Sequence, residues 1–330
     1  MASSLISRAQ SGDEDAFRAL TEPHVRELHA HCYRMLGSVP DAEDALQETL
    51  LAAWKGLAGF AEESSLRTWL YRIATNTCLN ALRAQRRRPA KAWDIPGLEP
   101  PPATRMGEVP WLSPYPNPID RAVELPIGPE ARYEQVESIS LAFVTALQLL
   151  APRQLAVLVL RDVLGFRASQ VADMLDTTVT SVNSSLIRAR TNLAKVRRVS
   201  DPPPAPGSVE EREVVTRFVR AYESADVPAL VELFTDDMFL SMPPLPMEYE
   251  GIPAATAFMR MLLVPGREYR LIPTRANEQP ALGAYRQDAN GVWQGTGLFV
   301  LELVGDRICG SVRFEADCFP SFGLPAALAN

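Results

Sequence analysis

Residues Asp41 to Arg88 read DAEDALQETLLAAWKGLAGFAEESSLRTWLYRIATNTCLNALRAQRRR. Two helical periods run through this stretch, separated by a short loop. In the first, Leu46, Leu50, Ala53, Trp54 and Leu57 recur at three- and four-residue spacing and predict a buried stripe, with Asp41 as N-cap. Asp44, Gln47, Glu48 and Leu51 share a second face. That face fits either a solvated acidic surface carrying one leucine or a surface that docks on a basic partner helix.

The second period predicts a helix capped by Ser64 or Ser65, with a stripe of Leu66, Trp69, Leu70, Ile73 and Thr77. Arg72, Asn76, Asn80, Arg83 and Arg87 recur on another side, and the run ends in Arg83, Arg86, Arg87 and Arg88. Terminal arginines can simply complement a helix dipole. Arginine and asparagine on one face, near Phe60, Trp69 and Tyr71, better fit a surface that meets phosphates and stacks bases.

DAEDALQETLLAAW followed by SSLRTWLYRIATNTCLNALR resembles region 2 of the extracytoplasmic-function (ECF) sigma factors of the sigma-70 family, the compact promoter-specificity subunits of bacterial RNA polymerase. The resemblance implies that Asp44, Gln47, Glu48 and Leu51 dock on the β′ clamp helices of core polymerase. It likewise implies that the loop from Phe60 through Ser64 and Ser65, and the helix carrying Arg67, Arg72, Asn76, Asn80 and Arg83, meet the opened −10 element.

Composition is compatible with this. The 330 residues, 47% of them hydrophobic, allow two or three folded domains. No apolar run reaches the roughly 18 residues of a membrane span, and MASSLISRAQSGDEDAF lacks a signal-peptide core, so a cytoplasmic protein is expected. Cys32, Cys78, Cys309 and Cys318 form no CxxC pair and read as reduced structural thiols. His29, His31 and Cys32 do not share a helix face, and with no Walker or GxGxxG pattern no metal or other cofactor is expected.

The net charge of −7 is unevenly spread. Leu150 to Arg198 holds eight Lys/Arg against three acids, whereas Glu210 to the end holds ten against seventeen. A basic segment beside an acidic domain permits DNA binding and also permits masking of it.

Before Asp41, SGDEDAF predicts a helix start, Phe17, Leu20, Val25, Leu28, Cys32 and Leu36 its stripe, and Pro23 a break. Residues 91–130 form a proline-rich linker on an extended track; Trp111, Leu112 and Tyr115 in WLSPYP are costly to leave in water and are expected to dock. In relatives with an extra C-terminal domain a similar motif contacts that domain.

From Tyr133 to Arg198 the pattern is helical again, with Ile139, Phe143, Leu147 and Leu150 on one face. SQVADML, the turn DTT and TSVNSSLIRARTNL have the lengths of a helix-turn-helix: Val171, Ala172 and Leu175 pack on Val182 and Leu186, and Thr178 caps the second helix. The segment resembles region 4 of the same family, which implies −35 contacts from Arg167, Ser169, Thr180, Ser181, Asn183, Ser184 and Arg188, and docking on the polymerase β flap. Asn183 and Ser185 stand where relatives often carry Lys and Arg.

After a second linker, DPPPAPGS, the pattern is helix from Glu211 to Phe234, a helix in IPAATAFMRMLL, and strands near Tyr269–Thr274, Ala281–Arg286, Gly297–Leu303 and Arg307–Ala316. This order, with ELFTDDMFLSMPPLP and YEGIPAATAFM, resembles the SnoaL-like, NTF2-like cone, and the SMPPLP segment points to the SigG-like actinobacterial subgroup of sigma factors. Met238, Met242, Met247, Met259 and Met261 are expected to fill the cone, and a small apolar ligand is a conceivable occupant. Enzyme chemistry would need Asp236, Asp237, Glu250, Glu302, Glu315 or Asp317 inside it; a non-catalytic regulatory module is the expectation.

The expected fold class is therefore multidomain: two all-α sigma domains, a region 2 helical bundle and a region 4 helix-turn-helix, plus an α+β NTF2-like cone. The expected domains are 1–90, a linker 91–130, 131–200, a linker 201–208, and 209–330. The expected function is promoter recognition and opening with core RNA polymerase, modulated by the tail. A stand-alone helix-turn-helix regulator and a bifunctional protein with a catalytic tail are the competing readings.

Overall fold

The computed structural model describes residues 2–84, 91–93, 99–107, 111–116, 139–196, 202–264 and 266–328. The basic cluster Arg86, Arg87 and Arg88, and the expected helical turn at Tyr133, lie outside the described residues. The chain divides into two compact units, Met1–Arg88 with Phe143–Arg197, and Pro89–Ala142 with Arg198–Asn330.

The first unit is helical. Its elements are α1 (Ala2–Gln10), α2 (Glu14–Leu36), α3 (Val39–Gly56), α4 (Leu66–Ala84), α5 (Leu141–Gln148, of which Phe143 onward belongs here), α6 (Pro152–Leu158), α7 (Ala168–Met174) and α8 (Val179–Val196). Asp13 caps α2, its carboxylate accepting from Ala16 N–H, and Ser65 caps α4 by accepting from Thr68 N–H at 3.1 Å.

Several sequence expectations shift here. Helix α2 runs through Pro23 without a break. Proline inside a helix costs about 3 kcal/mol, but Leu20 and Thr21 before it and Leu28, His31 and Cys32 after it are all buried, so packing on both sides holds the helix together. The N-cap of α3 is Ser38, not Asp41; Pro40 sits in the first turn, where its missing N–H leaves nothing unsatisfied.

The buried stripes are also displaced. On α3 the buried residues are Ala42, Ala45, Thr49 and Ala53, followed by Leu57, while Leu46, Leu50 and Trp54 are only half-buried. On α4 the core side is Leu70, Tyr71, Ala74, Thr75, Cys78 and Leu79, with Leu66, Trp69, Ile73 and Thr77 half-buried. Small residues let α2, α3 and α4 approach closely, and larger ones flank the seam. Helix α1, which the pattern did not predict, buries Ile6 and Ala9 against Ala16, Leu20, Leu57 and Phe60.

The second unit is an antiparallel-rich sheet with helices on one face. Its elements are β1 (Arg105–Met106), α9 (Val209–Glu223), α10 (Val227–Glu232), β2 (Phe234–Met242), β3 (Leu245–Glu250), α11 (Ile252–Leu262), β4 (Tyr269–Ala276), β5 (Gln279–Gln287), β6 (Trp293–Val304), β7 (Arg307–Phe314) and β8 (Ala327–Leu328). The strand order is β1-β3-β2-β7-β6-β5-β4, with β8 on β6; β2 and β7 pair in parallel and the other neighbours antiparallel.

The expected single helix from Glu211 to Phe234 is two helices broken at Ser224–Asp226, with Phe234 already in β2; Asp226 caps the second by accepting from Ala229 N–H. Strands β2 and β3 were missed because the prolines of SMPPLP mask their alternation. Met238, Met242 and Met259 lie in the core, with Met247 and Met261 packed against it.

Part of the proline-rich stretch belongs to this sheet. β1 pairs with β3 in the register Arg105↔Glu248, and Arg105 bonds the Glu248 carboxylate at 2.6 Å. Trp93 and Ala103 pack on the core cluster. Leu112 and Tyr115 are buried, while Trp111 is 39% exposed.

Candidate polymerase and promoter interface

On α3, Asp44, Gln47, Glu48 and Leu51 are all exposed, Leu51 at 53%. They stand opposite the small buried residues of the same helix, so the face does no packing inside the first unit. The face therefore presents one large aliphatic side chain among three polar neighbours to solvent.

Helix α4 carries the expected −10 residues. Ser64, Ser65, Arg72, Asn80 and Arg83 are exposed, and Arg83 donates to Asn80 Oδ1 at 2.8 Å. Three of the group meet the helix-turn-helix half of the same unit. The Arg67 guanidinium lies 4.9 Å from the Tyr71 ring centre and 5.1 Å from that of Phe166, and donates to Glu27 at 3.2 Å. Arg72 reaches Asp176 at 3.3 Å, and Asn76 donates to the Met174 carbonyl at 3.5 Å.

The aromatic neighbours are placed inward. Phe60 is 7% exposed, its ring 4.9 Å from Trp69. Tyr71 is fully buried, edge-on to Phe166 at 5.3 Å, and burial raises its phenol pKa. Their rings are therefore core, and the bases of a strand on this face would meet the loop and the α4 surface above them.

His31, beneath α4, is buried and bonds Thr75 Oγ1 at 3.0 Å. The Thr75 hydroxyl donates to the Tyr71 carbonyl at 2.7 Å, so His31 Nε2 carries the proton and, among the described residues, Nδ1 is left without a partner. Burial, with Arg34 nearby, pushes the imidazole pKa down to about 3, so the ring is neutral.

In the helix-turn-helix, Val171, Ala172 and Leu175 are buried together with Val182 and Leu186, as the pattern predicted. Thr178 Oγ1 accepts from Ser181 N–H at 3.2 Å. Arg167, Ser169, Thr180, Ser181, Asn183, Ser184 and Arg188 are all exposed, and Ile187 beside them is 65% exposed. Arg190 is turned away into a bidentate pair with Asp162, both bonds at 2.8 Å.

In the second unit, Asn277 is the residue that sequence reading missed. It is wholly buried; its Oδ1 accepts from Tyr115 N–H and its Nδ2 donates to the Ile139 carbonyl, both at 2.8 Å, while its own N–H donates to the Tyr115 carbonyl at 2.9 Å. Its φ of +54° is one that asparagine adopts more readily than most residues. The signal in the sequence was an Asn in TRANEQ between two strand-like runs, a residue that turns favour.

Comparisons with known proteins agree with this architecture. Residues 20–88 match the Sigma-70 region 2 family, 140–193 the Sigma-70 region 4 family, and 215–311 the SnoaL-like domain family. The chain is similar to the ECF RNA polymerase sigma factor SigG of Mycobacterium tuberculosis, 46% identical over 323 residues, covering 94% of this chain and 85% of the relative. It is also similar to the ECF RNA polymerase sigma-E factor of Escherichia coli, 31% identical over 188 residues, 56% of this chain and 88% of that one. The crystal structure of the Mycobacterium tuberculosis ECF sigma factor SigJ shares the fold, with a TM-score of 0.57 and 20% identity over 91% of this chain and 98% of that one. The chain belongs to the ECF RNA polymerase sigma factors and carries a C-terminal SnoaL-like domain.

Proposed function

We propose that this protein directs core RNA polymerase to a promoter and opens it there, in the cytoplasm. Its α3 face of Asp44, Gln47, Glu48 and Leu51 docks on the β′ clamp helices. The loop from Phe60 to Ser65, with Arg67, Arg72, Asn76, Asn80 and Arg83 on α4, takes the unstacked −10 strand. Residues Arg167 to Arg188 of the helix-turn-helix read the −35 duplex against the β flap. The observation that carries this reading is Leu51, more than half exposed amid three polar neighbours on one face of a helix whose opposite face is packed.

The SnoaL-like domain is read as a regulatory module. Trp111, Leu112 and Tyr115, expected as the contact segment, support this, because Leu112 and Tyr115 are buried and Asn277 holds the Tyr115 backbone from both sides. A catalytic tail is less well supported. Asp236, Asp237, Glu250 and Asp317 are exposed, Glu315 pairs with Lys91 at 2.6 Å, and Glu302 alternates with the core residues Leu301 and Leu303 and so faces away from them.

Run-off transcription with core polymerase and a matched promoter tests the assignment. The full chain is expected to yield specific transcript and its Leu51→Arg variant none. Absence of transcript and of core binding by the unaltered chain would return the protein to a stand-alone DNA-binding role.

A further inference from the structure

The sheet register identifies what lies inside the cone. Leu240 of β2 pairs with Ser311 of β7, which pairs with Leu301 of β6; one step along, Arg313 pairs with Phe299, which pairs with Leu282 of β5. Leu240, Leu301, Phe299 and Leu282 all belong to the apolar core, so Ser311 and Arg313 project from the same face of β7 into that apolar interior.

Ser311 is buried and Arg313 half-buried. Ser311 is 2% exposed, and among the described residues its hydroxyl has no hydrogen-bond partner. Arg313 offers five N–H donors, and among the described residues its guanidinium bonds one carbonyl, that of Thr296. The charge within reach is Glu315, which is itself paired with Lys91 at 2.6 Å. Space for the guanidinium is kept by Gly297, where a Cβ would fall 3.0 Å from the Arg313 guanidinium carbon and 2.5 Å from the Phe314 carbonyl oxygen.

Two further groups converge on this end of the interior. Arg286 of β5 pairs with Tyr269 of β4, and a phenol from α9, Tyr222, sits with its ring 5.4 Å from Phe299 and 5.7 Å from Tyr269. Tyr222 feels the charge of both Arg313 and Arg286. A buried hydroxyl without a partner is costly, and a guanidinium that bonds one carbonyl keeps donors to spare. A fork of donors beside apolar side chains matches a planar carboxylate on an apolar body.

We propose that the cone binds a small apolar monocarboxylate, with Arg313 and Ser311 taking the carboxylate beside Tyr222 and with Phe299, Leu240 and Leu301 enclosing the body. This names a ligand class for the domain read above as regulatory, and it extends the expectation of an apolar ligand by giving it a charged head. Its consequence for transcription rests on that reading, but binding itself does not.

The test uses the full chain without polymerase. Isothermal titration and thermal shift are run with octanoate, decanoate and 2-naphthoate, each against its methyl ester. Saturable binding of at least one acid, about tenfold or more tighter than its ester, is expected, with Arg313→Lys weakening it about tenfold and Ser311→Ala several-fold. Ser311→Ala removes only an unpaired hydroxyl, so it leaves a folded protein in which to read the effect even if Arg313→Lys does not fold. No binding of any acid, or equal binding of acid and ester, overturns the proposal and leaves the regulatory reading standing. Binding that leaves run-off transcription unchanged overturns the regulatory reading alone.

Discussion

The guanidinium of Arg72 on helix α4 lies 3.3 Å from the carboxylate of Asp176, in the turn of the helix-turn-helix. Both side chains are substantially exposed, so the pair contributes on the order of 0.2–1 kcal/mol to stability. Its effect on DNA binding is the larger one, because it places a negative charge against a cation proposed to meet a phosphate. Asp176→Asn, which tolerates the residue's positive φ of 46°, is expected to change the melting temperature little and to raise affinity for a −10 single strand. Arg72→Ala is expected to reduce the slope of log affinity against log salt by about 1. Fluorescence anisotropy across a salt series measures both; an unchanged slope for Arg72→Ala would remove Arg72 from the interface.

On α3, Glu48→Arg and Leu51→Arg replace exposed groups and are expected to shift stability by no more than about 0.5 kcal/mol. If the face docks on polymerase, each weakens core binding about thirtyfold or more, as for a hot-spot residue. Co-purification with core enzyme, beside a melting curve, separates lost docking from lost folding.

Asn277→Ala leaves the Tyr115 N–H and the Ile139 carbonyl without their buried partner. An orphaned group costs about 1–3 kcal/mol, so the clamp on residues 111–116 should open before the sheet unfolds. Hydrogen exchange at the Tyr115 amide is expected to accelerate while that of β5 and β6 amides does not. Equal acceleration everywhere would mean that Asn277 supports the sheet rather than the strap.

His31 is neutral in the fold, its pKa depressed to about 3 from an ordinary value near 6.5, and burial lowers that of His29 as well. A base whose folded pKa lies below its unfolded one is protonated first in the unfolded chain, so stability is full above pH about 6.5 and is lost as pH falls towards 3. His31→Gln keeps a polar group toward Thr75 without the titration. It should flatten the acid side of the stability profile in urea melts between pH 7 and 4, and an unchanged profile would place the acid sensitivity elsewhere.

Much of this protein was legible from local pattern. The polar faces of α3 and α4, the cap at Ser65 and the pairing of Val171, Ala172 and Leu175 with Val182 and Leu186 follow from helical period and side-chain chemistry within a few turns. The same local logic erred where packing partners decide. It placed Ala53 and Leu57 correctly but put Leu46, Leu50 and Trp54 in the core where close helix approach selects Ala42, Ala45 and Thr49, and it broke α2 at Pro23.

What the sequence by itself determined is most of the helices, though not α1 or the break between α9 and α10, the strands of the β4 to β7 meander, and which surface residues have no packing to do, because these depend on neighbours within about four positions along the chain. The tertiary structure alone decided that Arg72 and Asn76 meet the helix-turn-helix, that Asn277 grips Tyr115 across 162 positions, and that Ser311 and Arg313 share the face of β7 whose strand neighbours Leu301 and Phe299 are core. Those contacts join residues far apart in sequence. Their energies depend on burial and on the presence or absence of a partner for each polar atom, which no local pattern encodes.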